Sequence, residues 1–293
     1  MIKTTPGEKV FDVFNYVLLT ILALSCVVPF IHMCATSFSS SASATQGHVG
    51  LWPVDFTLSS YKFAFQKPAF IRSFGITIER VVLGLVVNMV LIIMAAYPLS
   101  KTKQVFIGRT LIAWFFVITM FVGGGLIPTY MVVTATGLKN TIWALILPGA
   151  VPIFNMVILL NFFRQIPREI EESALIDGAG QNRILWQIYV PLSIPALATL
   201  TIYTVVGHWN EWFSALIYMD NAKNYPLQTY LQNVITMPDF SLLDTMQLEL
   251  MKKISNKTFR AAQIMIATLP ILLIYPFLQR HFIAGMTLGS LKG

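Results

Sequence analysis

The chain has 293 residues, 56% of them hydrophobic and only 11% charged, with a mean hydropathy of +0.69. That composition excludes an ordinary soluble enzyme and defines an integral membrane protein: a bilayer span takes about 20 apolar residues, so about six fit. The formal charge of +7 comes from basic residues beside apolar runs, which implies lipid headgroups and orientation and not nucleic acid.

Residues 1–12 are polar, and an apolar run at 13–35 predicts the first span. It is longer than the roughly 7 to 15 residues of a cleaved signal core, so it is expected to stay uncleaved with the N-terminus cytosolic. Cys26 and Cys34, in or beside this run, have neither metal spacing nor a disulfide framework and are expected to pack. The loop 36–73 carries Trp52 and Tyr61, residue types that suit the membrane interface. A second span is predicted at 75–99, with Glu79 and Arg80 near its outer end. Neighbours on a helix point about 100° apart, so each is expected to find another partner. Lys101, Lys103 and Arg109 follow, a local positive-inside signal.

The third span, 110–130, contains Gly123, Gly124 and Gly125, each costing a helix about 1 kcal/mol relative to alanine. Either the span is broken there or the glycines allow close helix packing, and packing is the expected reason. The fourth span is placed at 141–163, the fifth at 193–219 and the sixth at 259–280. All six lie in one transmembrane domain, 13–281; residues 220–258 form a long external loop and 282–293 a cytosolic tail.

Between the fourth and fifth spans, residues 164–191 are unusually polar. Pro167 suits a first helical turn, and Glu169, Glu171 and Glu172 complement the dipole there. Gly178 and Gly180 stop that helix; Arg183 to Val190 is predicted as a second one, closed by Pro191. A short helix held at the membrane surface between two spans has the shape of a docking element.

Glu172-Ser173-Ala174, then Gly178, then Ile188 and Pro191 resemble the signature loop of the membrane subunits of ATP-binding-cassette (ABC) importers. Asp177-Gly178-Ala179 is similar to the carbohydrate-uptake branch, the relatives of the smaller membrane subunit of the maltose transporter; Gly123–Tyr130 and Gly207–Asn210 resemble its oligosaccharide members. The resemblance implies the all-α type I ABC importer permease fold, with residues 164–191 as a coupling loop. Glu172, Ser173, Ala174, Asp177, Gly178 and Ala179 would then be the ATPase-coupling residues. It also implies a bacterial inner-membrane, multi-pass subunit with both termini cytosolic. Its implied partners are a second, homologous permease, two ATPase subunits and an extracellular solute-binding protein, serving a carbohydrate substrate.

No Gly-x-x-x-x-Gly-Lys-Ser/Thr phosphate loop occurs, so ATP and Mg are expected on the partner ATPases and no cofactor on this chain. No catalytic residues are assigned, and the isolated His32, His48, His208 and His281 offer no metal site. Trp209, Asn210, Glu211 and Trp212 form the most polar intramembrane cluster. Aromatic faces with an amide and a carboxylate suit sugars, so these four are the candidate substrate pathway; interfacial tryptophans and a subunit hydrogen bond are the plainer alternative. An ion-coupled secondary transporter of a small polar solute, using Glu79 and Glu211, is the competing class.

Overall fold

In hydrocarbon each backbone N–H and C=O has to be satisfied within the protein, so long apolar runs become helices. The computed structural model describes residues 6–236 and 257–273, and these are helical or connecting, with no strand among them. In chain order come α1 (Pro6–Ser37), α2 (Ser41–Thr45), α3 (Ser59–Gln66), α4 (Pro68–Ser100), α5 (Arg109–Phe121), α6 (Leu126–Ala135), α7 (Ile153–Phe163) and α8 (Arg168–Ile176). The segment Gln181–Leu192 runs through α9 (Gln181–Ile184), a π turn (Leu185–Tyr189) and α10 (Val190–Leu192). Then follow α11 (Ile194–Asn210), α12 (Phe213–Tyr218), α13 (Leu227–Thr236) and α14 at 257–273.

Two helices, Gly7–Ser37 and Pro68–Ser100, are each long and apolar enough to cross a membrane, and three bent pairs qualify together, giving up to five spans among the described residues. Of the expected sixth span, 259–280, residues 274–280 lie outside the described residues, as do the tail 282–293 and residues 237–256 of the external loop. The second span starts at Pro68 and not at Gly75, because proline suits a first helical position.

The broken spans have identifiable causes. Gly123–Gly125 separate α5 from α6, which are bent by 117°, and Gly125 has φ +78°. No neighbour lies within 4 Å of where a Cβ would stand on Gly123 or Gly125, so the expected close packing gives way to a true break. Pro148 and Pro152 keep 142–149 in 3₁₀ turns bent by 50° from α7. Pro191 does not close the second short helix: the π turn precedes it and the helix continues to Leu192, breaking at Ser193.

The chain divides into two compact units, 1–70 with 233–269 and 71–232 with 270–293. In the first, Ala35, Ala44 and Val49 form a small core, Ser43 donates to Asp55 at 2.7 Å, and Lys67 Nζ stands 4.9 Å from the ring centres of both Phe63 and Phe259. In the second, Ile92, Ala96 and Leu99 of α4, Leu159 and Phe163 of α7, and Ile184 and Leu200 form the main core. A second core joins Val133, Leu145, Ala215 and Tyr218. α5 has no buried residue, and neither does the apolar window of α1.

Candidate functional site: a surface helix and an intramembrane cavity

α8 begins one residue later than the sequence predicts, with Pro167 as its N-cap and Glu169 and Glu171 in its first turn. It ends in a Schellman motif: the Gly178 N–H donates to Leu175 O at 3.0 Å and the Ala179 N–H to Ala174 O at 2.9 Å. Gly178 takes the left-handed conformation this requires, φ +78°. Asp177 is the C-cap, and the Ser173 hydroxyl donates back to Glu169 O at 2.7 Å.

The two sides of α8 differ. Ala174 and Ala179 are partly buried against the main core, and their small side chains let the helix lie close to it. Glu171 also turns inward, accepting from Lys101 Nζ at 2.7 Å and from the Tyr189 hydroxyl at 2.7 Å. Lys101 is buried, with Nζ 3.9 Å from the Tyr97 ring centre and 4.2 Å from that of Tyr189. Burial pushes the Lys101 pKa down from its ordinary value, while the hydrogen bond and charge of Glu171 oppose that shift. Outward, Glu172, Ser173 and Asp177 are exposed together with Ile170, Leu175 and Ile176. Ile176 is 86% exposed.

At the opposite end of this unit, the helix breaks after Asn210, and Glu211 has extended backbone as its C-cap. Trp209 and Trp212, three apart, would share a face of an unbroken helix, and the break separates them. Trp209 is buried edge-to-face on Phe74, Asn210 is exposed, and Trp212 caps α12 and packs on Phe213. Glu211 pairs with Arg80 Nη2 at 2.6 Å, accepts from the Ser214 backbone N–H at 2.8 Å, and contacts the Ser214 hydroxyl. Arg80, only 2% exposed, also donates to two backbone carbonyls left free where helices stop, Glu211 O at 3.1 Å and Leu145 O at 3.2 Å. A fixed guanidinium thus satisfies broken backbone inside the membrane, the condition under which irregular segments are tolerated there. Glu79 is exposed.

Beside this ion pair lies a cavity of about 460 Å³. Of the four candidate pathway residues, Glu211 alone lines it; its other polar walls include Asn88, Asn155, Tyr203 and Thr204, which the sequence does not single out, and His208, which it marks only as an isolated histidine. Thr204 and His208 are four apart and so share a helix face, the signal that could have found them. Among the described residues no group of three or more His, Cys, Asp or Glu could hold a metal.

Apolar helices able to cross a membrane, three broken helix pairs and a polar surface helix make this an all-helical membrane protein. The chain belongs to the family of binding-protein-dependent transport system inner membrane components, whose model matches residues 9–288. It is 42% identical over 291 residues to protein LplC of Bacillus subtilis, covering 99% of this chain and 97% of that one. It is 38% identical to the polygalacturonan/rhamnogalacturonan transport system permease protein YtcP of the same organism, covering 98% and 99%. Among solved structures, one chain of the crystal structure of a bacterial ABC transporter involved in the import of the acidic polysaccharide alginate superposes with a TM-score of 0.90. It shares 32% identity, over 96% of this chain and 100% of that one.

Proposed function

We propose that this chain is one of two homologous permease subunits of an ATP-driven importer that passes an oligosaccharide from an extracellular binding protein into the cytoplasm. Two ATPase subunits, which bind ATP and Mg, would seat α8 and drive alternating access; both termini would lie on their side of the membrane. Relatives named for polygalacturonan/rhamnogalacturonan and maltodextrin transport support the carbohydrate substrate. The observation that carries the reading is the two-sidedness of α8: Glu171 and the alanines tie it to the core, while Glu172, Leu175 and Ile176 face outward. Shifting a gate from 1:99 to 99:1 takes about 5.5 kcal/mol of differential stabilisation, which nucleotide binding on partner ATPases can supply. The ion-coupled alternative loses one of its two candidate carboxylates, because Glu211 is bound by Arg80.

The test is to co-express the chain with its second permease and ATPase, reconstitute the complex, and add binding protein with oligogalacturonides, alginate oligosaccharides or maltodextrins. One sugar should stimulate hydrolysis and enter the vesicles, and Glu172→Ala with Ile176→Ser should abolish the stimulation. Transport by this chain alone under an ion gradient, unaffected by those substitutions, would refute the assignment.

A further inference from the structure

The cavity beside Arg80 has a feature that packing does not require. Asn88 is 5% exposed and Thr204 is 4% exposed, yet Asn88 Oδ1 and Thr204 Oγ1 have no hydrogen-bond partner in the protein, and both residues line the cavity wall. Leaving a buried polar atom unpaired is unfavourable, so such atoms call for an explanation. Threonine in a helix commonly bonds back to the carbonyl four residues earlier, as Thr199 does to Pro195 O; Thr204 does not. The Asn88 amide nitrogen is engaged with His208 Nε2 at 3.3 Å, which fixes the amide and leaves its oxygen available. Asn155 lines the same wall.

Resting on the importer reading above, we infer that this cavity is a saccharide-binding station on this chain itself, in which Asn88, Asn155 and Thr204 pair with sugar hydroxyls. The chemistry fits a polyol: an acceptor oxygen, a hydroxyl able to give or take a proton, and an amide converge from α4, α11 and α7. Tyr203, on the same wall, offers an aromatic face to the C–H side of a pyranose. Arg80 is neutralised by Glu211, so the station reads hydroxyl pattern and not charge. Its volume of about 460 Å³ lies within the roughly 300–1,000 Å³ of small-molecule sites.

The test exploits opposite expectations for two roles. If these atoms are only buried misfits, Thr204→Val and Asn88→Leu should hold or raise thermal stability and leave import unchanged. If they hold sugar, the same variants should assemble with unreduced stability but import less at sub-saturating sugar, by about three- to tenfold each. Thr204→Ser, which keeps the hydroxyl, should restore most of the uptake and serves if Asn88→Leu fails to assemble. The probes are the three labelled oligosaccharide types of the preceding experiment. Uptake per assembled complex equal to wild type in Thr204→Val overturns the station while leaving the importer reading intact. A wild-type complex that imports none of the three overturns both.

Discussion

Lys101 Nζ and Glu171 Oε1 lie 2.7 Å apart, both largely withdrawn from solvent, and join the C-terminal end of α4 to the surface helix α8. With the Tyr97 and Tyr189 rings around the ammonium, this contact is a strut between α8 and α4, and under the importer reading it would carry a push on α8 to the bundle. Removing one partner of a buried pair strands the other and costs about 3–5 kcal/mol, whereas replacing both by apolar residues is often neutral. Lys101→Met alone should therefore lower the melting temperature of the complex clearly, and Lys101→Met with Glu171→Leu should recover much of it. Sugar moved per ATP hydrolysed should stay low in both. Full coupling in the stable double variant would show the pair to be only structural.

The same strut carries a pH dependence. Burial lowers the Lys101 pKa, so its proton leaves at lower pH than that of an ordinary lysine. In that window the unfolded chain binds more protons, so the stability linked to this group rises with pH and is lost as pH falls through the folded pKa. Coupling should move the opposite way, declining at alkaline pH as the ion pair discharges. Lys101→Arg, which keeps its charge, should flatten that decline when sugar-stimulated hydrolysis is followed from neutral to alkaline pH.

Gly178 at φ +78° has no atom within 4 Å of an added Cβ, so a substitution there meets only backbone strain. Gly178→Ala should destabilise the end of α8 by about 1–2 kcal/mol and Gly178→Asn by less. Limited proteolysis of residues 176–183 in the assembled complex would register the difference.

Gly84 is constrained for a different reason: a Cβ on it would fall onto the His208 imidazole. Gly84→Ala must push α4 from α11 or displace the ring, and overpacking of this kind costs about 1–3 kcal/mol. His208→Ala in the same chain should relieve most of the loss, as read by thermal unfolding in detergent.

The surface helix was legible in the sequence because acidic residues after Pro167 and glycine at 178 are local signals, read without knowing what packs where. The break at Glu211 was not, since 193–219 reads as one span and the Arg80 contact that stabilises its interruption comes from a distant helix. The two opposite charges did carry a usable hint: an acid and a base in separate spans are expected to find each other. Asn88 and Asn155 are not legible because single neutral polar residues within apolar runs have no period or motif to mark them, and Thr204 is marked only by its four-residue spacing from His208. At Pro191 the rule that proline ends a helix was overridden by the π turn just before it.

That π turn, Leu185–Tyr189, holds one residue more than the α-helical register needs. Each residue advances a helix face by about 100°, so inserting a further residue between 185 and 189, where the π turn already takes up one, would re-aim everything from Val190 onward like a dial turned by one mark. Thr204 and His208 would leave the cavity wall, though no residue near them had been changed. The spacing between the surface helix and the cavity is thus part of the site, and length changes at 185–189 will be tolerated far less than substitutions there.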